Sequence, residues 1–152
     1  MQTFEMELFL PVEPELLKED LFTMSGVNYE LAPMIKMSAP EKWGSKAITQ
    51  WPVNEEIFTS TISLFGVIPI DRHRFKLLSI NSSGFIESSS SLFNSVWSHE
   101  RTITKNGSGA NVKDVVGYKN KIGLLGSLLK PVYRSIFTHR HKRLKLKYAK
   151  IS

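Results

Sequence analysis

Residues 96–118, VWSHERTITKNGSGANVKDVVGY, read as two strands joined by a glycine-containing turn. Val96–Thr104 and Asn111–Tyr118 both suit extended chain, and KNGSGA between them supplies the Asn and Gly that accept positive φ. With Thr104 facing Asn111, the hairpin pairs Trp97 with Tyr118, His99 with Val116, Arg101 with Asp114 and Ile103 with Val112. Side chains alternate along a strand, so these eight share one face. Ser98, Glu100, Thr102, Asn111 and Lys113 take the other, which suits solvent. A slip of two residues would keep the faces and change only the partners.

The face with Trp97, Ile103, Val112, Val116 and Tyr118 is the inner one by composition, yet it also carries His99, Arg101 and Asp114. An unpaired buried charge is very costly, so Arg101 is expected to pair with Asp114. Such a pair can brace two strands, or it can form the polar end of an apolar cavity and orient a ligand head group. His73 and Glu87 have the parity of the inward aromatic residues of their own strands and can join it.

Outward from the hairpin, two further segments alternate. Ile57–Phe65 sets Phe58, Ile62 and Leu64 against Thr59, Thr61 and Ser63; Arg72–Ile80 sets His73, Phe75 and Leu77 against Arg72, Arg74 and Lys76. Phe85–Leu92 is serine-rich but compatible with a strand. With turn chemistry at Asn81–Gly84, these segments predict an antiparallel meander. Before it, Thr3–Val12 is β-rich. A short helix then starts near Pro14, and Gly26 marks its break; a second short helix is read over Tyr29–Met37. After the meander a helical period runs from Ile122 to about Tyr148. Pro131 leaves it either kinked at Lys130 or divided into a short and a long helix.

That ending is lopsided. No carboxylate side chain follows Asp114, while the last 38 residues hold ten of the twenty Lys and Arg. Leu125, Leu128, Leu129, Val132 and Ile136 form an apolar stripe, and Lys130, Arg134, His141 and Lys145 fall on one side. A basic amphipathic helix can address nucleic acid, a membrane surface, or simply close a domain with its wet side out. Nucleic-acid binding would add stacking aromatics or a known module, and neither is evident. The solvated face is the favoured reading; peripheral contact with an anionic membrane is the alternative.

At 152 residues, with 41% apolar and 22% charged residues, the chain suits one globular domain over residues 1–152. Without cysteine it has no disulfide, thiolate metal site or cysteine nucleophile. Glu5 and Glu7, with no basic segment before them, do not read as a signal peptide, and no apolar run suits a membrane span. The expectation is a cytoplasmic protein. The four histidines lack metal-ligand spacing, and no nucleophile elbow, P-loop or dinucleotide fingerprint is present, so no metal and no cofactor are expected.

The order of strand, two short helices, antiparallel meander and long C-terminal helix resembles the α+β helix-grip, or START-like, fold. VWSHERTI, NVKDVVGYKNKIGLLGSLL and SIFTHRHKRLK resemble the W-x-H-x-R, D-x-V-x-Y, G-x-L-G and F-x-x-R-H-x-x-L pattern of a bacterial branch of the SRPBCC superfamily. That superfamily includes polyketide cyclases and dehydrases. LAPMIKMSAP and LFGVIPIDRH resemble the same branch. The resemblance implies a curved sheet wrapped around the long helix with an apolar cavity between them. It implies that Trp97, His99, Arg101, Asp114 and Tyr118 line or brace that cavity. Phe58, Ile62, Phe75, Phe85, Leu125, Leu129 and Val132 would form its walls.

Members of such a superfamily bind lipids or other hydrophobic molecules, and a minority are enzymes, so the fold does not settle the activity. The leading expectation is a carrier or sensor that binds an apolar small molecule or lipid non-covalently, with an acidic head group as the form considered. The alternative is a cyclase or dehydratase in which His99 serves as acid and base, Asp114 orients it or pairs with Arg101, and Tyr118 donates a hydrogen bond.

Overall fold

The computed structural model describes residues 1–149; residues 150–152, the end of the expected domain, lie outside the described residues. Strand β1 (Gln2–Leu10) leads into helix α1 (Pro14–Leu21) and helix α2 (Met24–Leu31). Next come a short strand β2 (Ile35–Met37), one turn of helix α3 (Glu41–Gly44) and a 3₁₀ turn at Ile48–Gln50. The meander follows as β3 (Glu56–Leu64), β4 (Ile68–Ile80), β5 (Gly84–Ser91), β6 (Asn94–Asn106) and β7 (Gly109–Asn120). Helix α4 (Leu125–Tyr148) closes the chain. The seven strands form one antiparallel sheet in the order β1-β7-β6-β5-β4-β3-β2, with α4 packed against β1, β7 and α2. This is the helix-grip arrangement.

The β6–β7 register is the one the alternation implies: Trp97 opposes Tyr118, His99 opposes Val116, Arg101 opposes Asp114 and Ile103 opposes Val112. Register shifts interrupt the β3–β4, β4–β5 and β6–β7 ladders. Such bulges bend strands and increase local twist, which suits a sheet curling over a helix.

The segment after α1 departs from expectation. Gly26 does not end a helix but sits inside α2, which begins at Met24 because the Thr23 hydroxyl accepts a hydrogen bond from Gly26 N at 2.9 Å. Glycine is needed there for space, since a Cβ would lie 2.2 Å from the Asp20 carbonyl oxygen. The helix stops at Leu31, and Ala32, which precedes Pro33, takes an extended ψ of 150°. Ile35–Met37, read as helix, is instead a strand paired with β3, with Ile35 opposite Leu64. The Asn28 side chain both donates to Met37 O (2.9 Å) and accepts from Met37 N (2.8 Å), acting as a second strand neighbour.

Helix α4 is continuous through Pro131. Proline removes its own N–H and displaces the carbonyl four residues back. Here Pro131 and Ser127 are both exposed, so water can serve the freed group. Beyond Ile136 the buried positions become Phe137, Arg140, His141, Leu144 and Tyr148, one helical stripe with two charged-type residues in it.

Candidate ligand-binding site

A cavity of about 490 Å³ lies between the curled sheet and α4. Most of its wall is apolar, contributed by α2, the sheet and the first half of α4. Half-exposed Ile70, Phe93 and Val132, at 41%, 46% and 51%, mark where it meets solvent. Volume and lining fall in the range of small-molecule sites, which combine an apolar wall with a few placed polar groups.

The polar groups come from neighbouring strands. Pairing sets Glu87 of β5 opposite His99 of β6, and Phe85 opposite Arg101. His73 Nε2 donates to Glu87 Oε2 at 2.5 Å, and Ser89 Oγ donates to the same oxygen at 2.6 Å. His99 Nε2 donates to Asp114 Oδ1 at 2.7 Å, while its Nδ1 stands 3.9 Å from Glu87 Oε1. Arg101 grips Asp114 with two parallel bonds, Nε to Oδ1 at 2.7 Å and Nη2 to Oδ2 at 2.8 Å. Its Nη1 donates to Glu30 Oε2 on α2 at 2.9 Å. From α4, Arg140 Nε donates to Glu30 Oε1 at 3.1 Å and His141 Nε2 to Asp114 Oδ2 at 2.7 Å. Every member is buried: Arg101 and Asp114 are 1% exposed and Glu30 is sealed.

Burial is the largest influence on Asp114 and would raise its pKa. The adjacent Arg101 charge, with hydrogen bonds from Arg101, His141 and His99, instead holds the carboxyl well below the ordinary range. For Arg101 burial acts to lower the pKa, and Asp114 and Glu30 reverse it, raising the guanidinium above its usual value. Glu87 follows Asp114: burial opposes its charge, but His73, His99 and Ser89 together lower its pKa. These are carboxylates that accept and do not donate.

Of the residues expected at the site, Ile62, Phe75, Phe85, Trp97, His99, Arg101, Leu125, Leu129 and Val132 line the cavity. His73 and Glu87 line it too. Asp114 lies one layer back, hidden by the groups bonded to it. Tyr118 is also behind the wall: fully buried, it stacks on Trp97 and donates to the Gly126 carbonyl at 2.5 Å, bracing the start of α4. Phe58 is not on the wall either. It keeps the inward face, opposite Phe75, but its ring is taken up by Phe75 at 5.0 Å and by Trp51, which it meets edge-on at 5.3 Å.

Three residues outside the expected site complete the network: Glu30, Arg140 and His141. Reading His141 with the wet face of the last helix was incorrect, because it falls four residues after Phe137 and three before Leu144, on the buried stripe. That spacing was a usable signal. Arg134 and Lys145 do lie exposed, and Leu128, counted in the dry stripe, is exposed at 68%. Among the described residues no His, Asp or Glu cluster has the geometry to hold a metal ion, and no helix is long and apolar enough to cross a membrane.

A family model described as a domain of unknown function, DUF8410, matches residues 9–148. The chain belongs to that family. No curated protein matches the sequence of this DUF8410 member. Solved structures match it across its length. A START superfamily protein from Mycobacterium smegmatis superposes with a TM-score of 0.66 at 9% identity, covering 99% of each chain. Protein CV1439 from Chromobacterium violaceum gives 0.70 at 11% identity, covering 96% of each. Ara h 8.0201 gives 0.58 at 16% identity, covering 93% of this chain and 95% of its own. At these identities the likeness is one of fold, and this DUF8410 chain has the START-like fold.

Proposed function

We propose that the protein binds an apolar small molecule or lipid non-covalently between its sheet and α4, as a carrier or sensor. The cavity carries this reading: about 490 Å³, apolar over most of its wall, with a compact group of buried polar side chains at one side. A domain gains nothing in stability from leaving such a space unfilled, because each cavity forfeits packing and transfer free energy. Its retention is accounted for by an occupant.

Native mass spectrometry of protein purified under mild conditions tests the reading. The expected result is a bound mass that is released on denaturation and identified in the organic extract. Protein that carries no such mass, and that gives no fluorescence enhancement with the apolar fluorophore N-phenyl-1-naphthylamine, would overturn it.

Acid–base turnover is a second reading with an observation of its own. His99 lines the cavity and is held at 2.7 Å by an ionised Asp114, the arrangement of an oriented base. Tyr118 is not available to this chemistry, since its hydroxyl is committed to Gly126. Under this reading a molecule recovered intact from a His99→Asn variant is found converted after incubation with the native protein.

A further inference from the structure

The buried charges divide into two groups. Arg101 and Arg140 are matched against Asp114 and Glu30, two guanidiniums against two carboxylates. Glu87 is left over. Among the described residues its ion-pair partners are His73 and His99 alone, and it is 4% exposed on the cavity wall. The second carboxylate on that wall is Asp71, near the mouth, and no lysine lines the cavity.

The imidazoles do not complete the hydrogen bonding at Glu87. His73 and His99 both direct Nε2 at a carboxylate, which can only accept, so Nε2 carries the hydrogen in each ring. In an uncharged ring Nδ1 is then a bare acceptor. Among the described residues neither Nδ1 finds a hydrogen-bond partner, and Glu87 Oε1 has none. Ser60 Oγ is the only fully enclosed side-chain polar atom without a partner among the described residues. The residues of the other three atoms all line the cavity. This part of the wall is a group of acceptors around a carboxylate whose partners are imidazoles and a hydroxyl, with no guanidinium among them.

A group that answers this patch must bring more than one hydrogen and a positive charge. The 3.9 Å between Glu87 Oε1 and His99 Nδ1 suits one nitrogen bonded to both at about 2.8–2.9 Å. A hydroxyl has one hydrogen and would turn a lone pair toward the second acceptor. A carboxylate would add a fourth negative charge to a network with two guanidiniums. We infer that the cavity takes a lipophilic amine, with its ammonium seated on Glu87 Oε1 beside His99 Nδ1 and its apolar body along the wall between the sheet and α4. Trp97 and Phe75 are aromatic residues on the same wall. The assignment rests on the cavity being a binding site and names the head group that it selects.

Calorimetric titration of the full chain with decylamine, decan-1-ol and decanoate near neutral pH tests it. The expected order puts decylamine at least about tenfold tighter than decan-1-ol, with decanoate weakest. Glu87→Gln should erase the roughly tenfold preference for the amine over the alcohol, with folding checked by thermal melting. Equal binding of amine and alcohol, or tightest binding of decanoate, would overturn the head-group assignment while the cavity reading stands. If none of the three binds, the cavity reading itself fails. Imidazole ¹⁵N spectra of the native protein give a check that needs no variant. Bare Nδ1 atoms on His73 and His99 that shift on adding decylamine are expected; both rings protonated on both nitrogens in the free protein would overturn the assignment.

Discussion

Arg101 and Asp114 face each other across β6 and β7 and meet through two parallel hydrogen bonds, 2.7 and 2.8 Å long, with both side chains about 1% exposed. A bidentate guanidinium–carboxylate contact fixes orientation as well as distance. Asp114 has capacity left for His99 and His141, and Arg101 for Glu30. One cross-strand pair thereby ties the hairpin to both α2 and α4. It also presents His99 to the cavity in a set orientation.

Removing either partner should be severe. Asp114→Ala leaves Arg101 buried against a single carboxylate and strips His99 and His141 of their acceptor; a loss of about 3–5 kcal/mol is expected. The double variant Arg101→Met, Asp114→Leu replaces the pair with apolar bulk, which often restores stability. Here it should remain destabilised, because Glu30, His99 and His141 still lose partners. Urea unfolding of the two single variants and the double variant measures this, and full recovery in the double would show an isolated pair rather than a network.

Acid should unfold the protein through Asp114 and Glu87. Both are depressed in the folded state, so in the ordinary carboxylate range, about pH 4, the unfolded chain binds more protons than the folded one. Their contribution is complete above that range and is lost as pH falls through it toward the folded values. The urea midpoint should hold steady for these groups down to about pH 5 and then decline. In Glu87→Gln the decline should be shallower. A midpoint that rises on acidification would contradict the assignment.

Gly84 opens β5 against the backbone of β6, where a Cβ would lie 1.8 Å from the Arg101 carbonyl oxygen. No side-chain rotation relieves a clash with backbone. Gly84→Ala should cost at least about 2 kcal/mol and displace Arg101 from its partners. Thermal unfolding gives the cost, and a ¹⁵N-edited spectrum of the arginine Nε–H shows the displacement.

Filling the cavity should separate binding from folding. Leu129 lines it from the exposed half of α4, where packing constraints are weakest. Leu129→Trp is expected to lower affinity for N-phenyl-1-naphthylamine by at least about tenfold while changing stability by less than about 1.5 kcal/mol. Unchanged affinity would place the fluorophore elsewhere on the protein.

The hairpin was legible because every determinant of it is local. KNGSGA selects the turn, the two-residue period assigns the faces, and the only acidic residue on the inner face lands opposite the only arginine. His73 and Glu87, which by the same parity can join the site, line the cavity. Ile35–Met37 was misread because its apolar spacing suits a short helix equally well. What makes it a strand is the β3 edge and the Asn28 side chain, and neither shows in the pattern of three residues. Phe58 keeps the face that the alternation gives it, opposite Phe75, but its ring packs on Trp51 and Phe75 and does not reach the cavity, a distance that alternation alone does not set.

From the sequence alone come β1, the strands of the meander, the β6–β7 register and the closing helix, since steric alternation and turn preferences act over a few residues. The tertiary structure decided which charges are buried and with whom. Glu30 meets Arg101 across 71 residues and Arg140 across 110, while His141 leaves the wet side of α4 to reach Asp114. A helix presents Lys, Arg and His at similar spacings on either face, and only packing determines which of them loses its water. That loss turns a run of basic residues into partners for Glu30 and Asp114, and it leaves Glu87 as the buried carboxylate on the cavity wall without a guanidinium.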